Sequence, residues 1–408
     1  MKILFAAELY PWPPTTGNPQ RVYHILAALA KRHEVTLVSI VHSESEQQHD
    51  PTAPDPLPAL CARIIRVPDT SCAFQRQPSC EGSQFWAFVR RLLGSPLPMV
   101  VQMWACPELV ATLKALRAEQ QFDAVWVERC YIAELVRRAG FQRLIVDLDD
   151  IQSVALSRLV RQFSWSRWKA LNYADLIKLF LYEQLLSRRF ERLVVCKESD
   201  RHFFALPGKR VVIVPNGVDT FRAADRGSER PNEILFVGFL RYTPNVDAVM
   251  HFATHVLPIL RELAPGVRFT IVGKDPAPVI QGLNDGKQLV VEAAVADVRP
   301  YYEAASVVVV PMRLGSGTRI KLLEALAYGK AVVTTSIGAE GIDVRDGIDL
   351  AIADDPRAFA YACARLLGDQ EARERLGTNG RERVLARYNW HRIAEDVENA
   401  IAGVTANR

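Results

Sequence analysis

The chain has 408 residues, and 49% of them are apolar, a composition that fits a globular protein long enough for two domains rather than one core. A net charge of +4 gives no bulk support to nucleic-acid binding, while the slight basic excess suits anionic substrates or an anionic membrane surface. The seven cysteines, Cys61, Cys72, Cys80, Cys106, Cys130, Cys196 and Cys363, form no CxxC pair and are odd in number, which argues against a disulfide framework and a zinc site.

In chain order, Lys2 is followed at once by Ile3–Ala7, a run too short for a signal core that reads as a first strand. A loop holding Pro11, Pro13, Pro14 and Gly17 follows, then a helix predicted to start with Asn18 as its cap and Pro19 at its first position. Val22, Ile25, Leu26 and Leu29 give that helix one apolar stripe. Val35–Ile40 reads as a strand, the polar segment 43–58 as a loop, and 92–101, with Pro96 and Pro98, as a link between helices. Ala124–Val127, Leu144–Leu148, Leu193–Cys196 and Val211–Val214 are four more buried strands. Pro215-Asn216-Gly217-Val218-Asp219 is a turn signal, and the charged stretch from Arg222 to Asn232 is loop-like. The alternation then restarts with Ile234–Val237, Phe269–Val272, Leu289–Val291, Val307–Val310, Ala331–Thr335 and Leu350–Ile352. Strands alternating with helices predict parallel sheets. The expected division is 1–218 and 219–387, with a C-terminal helix, 388–408, that can pack back on the first domain.

Three places carry chemistry. The first is the strand Val307–Val310 followed by Gly315-Ser316-Gly317-Thr318 and a helix holding Arg319, Lys321 and Glu324. Small residues let a backbone approach a ligand, and a helix start presents N–H groups to an anion. Gly317, Lys321 and Glu324 are spaced i, i+4, i+7 and share one helix face. A phosphate over the first turn would meet Arg319 or Lys321, and Glu324 would accept from ribose hydroxyls. The alternative is a solvated Lys321–Glu324 pair.

The second place is Gly17 at the mouth of the first sheet, which reads equally as an ordinary strand–helix turn. No GxGxxG is present. The third is Asp147-Leu148-Asp149-Asp150 at a strand end, where acids either orient sugar hydroxyls and accept a proton or cap the next helix. The eight histidines show no metal spacing: His251 and His255, at i, i+4, have no third ligand nearby.

From these residues the chain resembles the retaining glycosyltransferases of the GT-B fold, in the family 4 or "group 1" class. The resemblance runs over nearly the whole length, through Tyr10–Gly17, Pro215–Asp219, Phe236-Val237-Gly238, Gly315–Glu324 and Ser336-Ile337-Gly338-Ala339-Glu340-Gly341. It is similar in style to a bacterial branch that builds exopolysaccharide and related surface glycans, with Asn245-Val246-Asp247 as its element after the post-linker strand. The resemblance implies an α/β fold of two Rossmann-like, doubly wound domains facing a central cleft, the first binding acceptor and the second a nucleotide-diphosphate sugar. It makes Glu324 the second glutamate of an E-x7-E signature, the ribose ligand, while Ser316 stands at the place of the first. Phe239 replaces the usual Arg, and Asn245 lies near the usual Lys. Arg319 and Lys321 are the candidates to take over the diphosphate, and Asp149 stands where the family has a cleft histidine. Gly17, Gly238, Asn245, Gly315, Ser316, Gly317 and Thr318 complete the expected donor site. The implied reaction retains configuration and uses cations and helix N-termini rather than a metal, so no cofactor is expected.

The expected partners are a nucleotide sugar and a glycan or lipid-linked acceptor, with no nucleic acid, in a cytoplasmic protein that can attach peripherally to the membrane. The membrane expectation rests on Arg158, Arg161, Arg167, Lys169 and Lys178 interleaved with Phe163, Trp165, Trp168, Leu171, Leu176 and Leu179. The competing reading has those aromatics packed in the N-terminal domain. Two other functions share the architecture: a nucleotide-sugar 2-epimerase, and a non-catalytic subunit that binds sugar nucleotides.

Overall fold

A computed structural model describes residues 1–41, 54–68, 81–104, 106–162, 165–204, 210–224, 226–293, 295 and 297–405. Most of the expected loop at 43–58, together with Cys72, Cys80 and Phe163, lies outside them. The chain forms two compact units: Met1–Pro215 with Ile393–Arg408, and Asn216–Arg392.

In the first unit seven strands pair in the order β3-β2-β1-β4-β5-β6-β7, all parallel. They are β1 (Lys2–Ala7), β2 (Glu34–Val41), β3 (Arg63–Pro68), β4 (Ala124–Glu128), β5 (Leu144–Asp147), β6 (Arg192–Val195) and β7 (Val211–Ile213). The central strands are continuous apolar runs because helices cover both faces of such a sheet. Sequence periodicity did not show β3. It is an edge strand, Arg63-Ile64-Ile65-Arg66-Val67-Pro68, in which only Val67 is buried, so it lacks the apolar run that marks the others.

The second unit repeats the plan with β8 (Glu233–Val237), β9 (Arg268–Gly273), β10 (Leu289–Ala293), β11 (Val307–Val310), β12 (Ala331–Thr334) and β13 (Ala351–Ile352), paired in the order β10-β9-β8-β11-β12-β13. In both sheets the strand order reverses between the first and fourth strands, β1|β4 and β8|β11. Ligands of open parallel sheets bind beyond the carboxyl ends at that switch point.

One local expectation changes. The first helix is Gly17–Ala30, and its cap residue is Thr16 rather than Asn18. The Asn18 side chain instead hydrogen-bonds Glu128, which leaves the cap to the residue before Gly17. The last helix, Trp390–Thr405, sends Ile393, Val397, Ala400, Ile401 and Val404 into the core, and His33 Nε2 meets Glu398 Oε2 at 3.1 Å within the first unit.

Candidate functional site

The carboxyl ends of β8 and β11 carry the second unit's site. β8 ends in Val237 and is followed by Gly238; β11 ends in Val310 and opens into the loop 311–319 before helix Ile320–Ala327. Gly315 lies at φ +93°, a left-handed conformation that favours glycine, and it turns the loop back toward the helix. Ser316, Thr318 and Arg319 are buried in this loop. The Thr318 hydroxyl has no hydrogen-bond partner among the described residues, a vacancy that a polar ligand atom would fill.

Lys321 projects from the first turn of that helix to the switch point. Its ammonium donates to Asn245 Oδ1 at 2.5 Å and sits 4.4 Å from the centroid of Phe236 on β8. Asn245, buried on helix Thr243–His251, is itself fixed by a 2.7 Å bond from Nδ2 to the Phe239 carbonyl. A Cβ on Gly238 would stand 2.8 Å from the lysine nitrogen, so a side chain there would displace the end of Lys321 from this position. Burial lowers the Lys321 pKa from 10.5 to about 7; the Arg319 charge adds to the fall and Glu324 opposes it. An ammonium this near neutrality regains its proton beside a phosphate.

The first unit holds a denser charged cluster at its own switch point. Arg21, 1% exposed, makes a bidentate pair with Asp147 at 2.9 and 2.8 Å and donates to the Val214 carbonyl at 3.0 Å. Arg129 donates to Asp149 Oδ2 and Asp150 Oδ1, both at 3.1 Å, and to Glu128 Oε1 at 3.2 Å. Tyr131 donates to Glu8 Oε2 at 2.5 Å, and Glu8 N–H donates to Glu128 Oε2 at 2.9 Å. Burial, reinforced by the Glu8 charge, pushes the Glu128 carboxyl up to about 7. Arg129 and Asp149 both have left-handed backbones, φ +71° and +57°. Such conformations in non-glycine residues cost roughly 1–3 kcal/mol each and gather at functional sites.

Residues 231–369 match the family model of the glycosyl transferases group 1. Within the second unit, the chain is therefore similar to the glycosyl transferases group 1. Over 421 aligned residues the chain is 28% identical to the glycogen synthase of Mycobacterium tuberculosis, covering 97% of this chain and 92% of that protein. Its fold is similar to sucrose-phosphate synthase from Thermosynechococcus elongatus, with a TM-score of 0.68 at 18% identity and full coverage of both chains. It is also similar to Anabaena HepE in complex with UDP and glucose, with a TM-score of 0.65 at 14% identity, covering 98% of this chain and 99% of that one. These neighbours show the GT-B fold, and with the domain match they support a glycosyltransferase.

In this second unit, Gly238, Asn245, Gly315, Ser316, Gly317, Thr318, Lys321 and Glu324 all belong to the ends of β8 and β11 or the helices that follow them. Arg319 is tied into the loop itself. Its guanidinium donates to the carbonyls of Gly317 and, at 3.1 Å, Leu314, so it braces the glycine loop from within. Lys321 does not form the surface pair with Glu324 that was the alternative; its partner is Asn245. In the first unit, Gly17 begins the helix behind β1, and Asp149 is held by Arg129 with a second contact from Cys196 Sγ at 3.3 Å.

Sequence reasoning passed over Arg21, Glu128 and Arg129. The signal for two of them was present: Glu128-Arg129 closes the apolar run Ala124–Val127, and charge at a strand's carboxyl end is a site signature. Arg21 was hidden because it sits within an otherwise apolar helical stripe. Among the described residues no group of His, Cys, Asp and Glu is arranged to hold a metal, and no helix is long and apolar enough to cross a membrane.

Proposed function

We propose that this glycosyltransferase moves a sugar from a nucleotide-diphosphate sugar to a glycan or lipid-linked acceptor with retention of configuration, in the synthesis of a bacterial surface glycan. The observation that carries the reading is Lys321: a partly buried cation at the β8|β11 switch point, aligned by Asn245 and reached past a strand end that lacks a side chain at Gly238. Charge accumulates on the departing diphosphate as the glycosidic bond breaks, and a preorganised cation in a dry site stabilises that charge more than water does. Lys321 then acts on the leaving phosphate, with the N–H groups at the start of helix Ile320–Ala327 beside it. Thr318 offers a hydroxyl, and Glu324, one turn on, takes the ribose. Arg319 serves as a brace that keeps the Gly315–Thr318 loop shaped for the diphosphate.

In the first unit the acceptor meets the cluster around Glu8, Glu128, Arg129 and Asp149. These groups orient hydroxyls, and Glu128, pushed up to about 7 by burial, gives the site a group that titrates close to neutrality. The resemblance to the exopolysaccharide branch supports the surface-glycan role, and the structure of HepE with UDP and glucose supports a nucleotide sugar as donor.

The test is to incubate the purified protein with labelled UDP- and GDP-sugars and a lipid-linked acceptor, then determine the anomeric configuration of the product. Transfer with retention is the expected result. Donor isomerisation without transfer, binding without turnover, or an inverted product would each contradict the proposal.

A further inference from the structure

We infer that the surface formed by helices Glu81–Gly94 and Arg167–Arg189, with Trp165 at its edge, seats the protein on an anionic lipid bilayer. Helix Arg167–Arg189 has two apolar faces. Leu179, Tyr182 and Leu186 are buried in the first unit, yet Ile177, Phe180, Leu181 and Leu185 are 62, 44, 55 and 40% exposed. Their spacing, i, i+3, i+4, i+8, places them along one side of the helix. An apolar stripe of this size on the outer side of a surface helix marks an interaction surface.

The neighbouring helix extends the surface. Phe85 and Phe88 pack edge-on against Trp168, and farther along Lys178 Nζ donates to the carbonyls of Leu92 and Ser95. Residue numbers rise together at the two contacts, so the helices run parallel and side by side. On this second helix Trp86 and Leu93 are 70 and 80% exposed, with the exposed Arg90 between them at i, i+4, i+7 spacing. Trp165, 81% exposed, lies just before the longer helix.

Charge identifies the occupant. Between residues 151 and 190 the only acids are Asp175 and Glu183. Both are buried: Asp175 accepts from the Met99 N–H at 2.9 Å, and Glu183 accepts from the backbone and hydroxyl of Ser153. The exposed charges of the same stretch are Arg161, Arg167, Arg188 and Arg189, all cationic. A protein whose total charge is only +4 has thus set exposed cations, and no exposed acid, along 151–190 beside exposed Trp, Phe, Leu and Ile. That combination binds anionic headgroups through its cations and the acyl boundary through its apolar side chains. A second copy of the chain is a poor occupant, because it would present the same cations face to face. The membrane segment anticipated from sequence is thereby revised: Trp168 and Leu179 pack inward, and the exposed members are Trp165 and the outer stripe from Ile177 to Leu185.

The inference is independent of the glycosyltransferase reading, and its test needs no activity. The full chain is sedimented with vesicles of phosphatidylcholine alone or doped with phosphatidylglycerol, at low and high salt. Wild type should pellet with the doped vesicles at low salt, several-fold less with phosphatidylcholine, and less again at high salt. Leu181→Ser with Leu185→Ser, and separately Arg161→Glu with Arg188→Glu, should lose most of that binding while keeping their melting temperatures. If either double variant unfolds, Trp86→Ala, on the other helix, takes its place. Absence of pelleting at low salt, binding unchanged in the variants, or a dimer or heterocomplex lost in the leucine variants without any vesicle binding would overturn the inference.

Discussion

The proposed donor site turns on Lys321, and its protonation gives the sharpest prediction. In the free protein its ammonium deprotonates near pH 7 instead of 10.5, so above neutrality the cation must be regained from solvent before it can pair with a diphosphate. Donor affinity should therefore fall as pH rises above 7, by up to roughly tenfold per unit until the pKa of the complex is reached. Calorimetry in buffers of different ionisation enthalpy should show proton uptake on nucleotide binding at pH 8; a pH-independent affinity with no uptake would remove the role. Lys321→Ala should lower turnover far more than melting temperature, since it deletes a partly buried cation whose folded state already disfavours its charge. Glu324→Ala should raise the donor Michaelis constant with little change in stability, and unchanged kinetics in that variant would take the ribose role from Glu324.

Glu183 makes a second pH prediction, this one for stability. Burial raises its carboxyl from 4.5 to about 7, so between those values the folded chain holds a proton that the unfolded chain has lost. The stability that this proton supports is complete below about pH 4.5 and is lost as pH rises through 7. The span is worth at most about 3 kcal/mol. Glu183→Gln should flatten the pH profile of the melting temperature between pH 5 and 8; a profile identical to wild type would contradict the assignment. At this scale the sequence was readable where neighbours in the chain are neighbours in space, as in the strand–loop–helix of 307–327. It was unreadable where partners lie far apart, as for Lys321 with Asn245 or Arg21 with Asp147. Spacing placed Arg319 beside the loop but could not show that its guanidinium folds back onto the carbonyls of that loop.

Among the elements, strands buried on both faces announce themselves as apolar runs, and each of those expected is present. β3 was missed because its alternation is broken by Arg63 and Arg66 and it borders solvent on one side. Helix Arg167–Arg189 misled in the other direction: its apolar residues are distributed over both faces, so sequence alone could not separate the packed face from the exposed one. A backbone contact sets the geometry at the mouth of the second sheet. A Cβ on Gly273, the last residue of β9, would stand 1.7 Å from the Gly238 carbonyl oxygen. Gly273→Ala must therefore push the ends of β8 and β9 apart, at a cost of at least ~2 kcal/mol, and shift Gly238 away from Lys321. Loss of both stability and donor affinity is expected, and an unperturbed variant would show that this approach is not what shapes the site.

Across the molecule, one strand order is used twice, with a charged cluster at each switch point. Division of the chain into two doubly wound halves was legible from the turn at Pro215–Asp219 and the restart of alternation after it. The destination of the last helix was not, because Ile393, Val397 and Ile401 would suit any apolar groove. The structure assigns 393–408 to the first unit, where Arg192 also donates to the carbonyls of Asn399 and Ala400 at 3.0 and 2.8 Å. Ending the chain at Arg392 should lower the melting temperature of the first unit by more than ~10 °C, given the aliphatic side chains it exposes, and leave the second unit's transition in place. Coincident loss of both transitions, or loss of neither, would be at odds with that division.

The claim that joins these scales is that the β8|β11 switch point of the second unit holds a nucleoside diphosphate. Calorimetric titration of UDP and GDP into wild type, Lys321→Ala and Glu324→Ala tests it most directly. One of the two nucleotides should bind wild type with one site per chain, and both substitutions should weaken that binding at least tenfold, or about 1.4 kcal/mol, with the melting temperature retained. Binding of equal strength in all three proteins would place the nucleotide elsewhere and contradict the account.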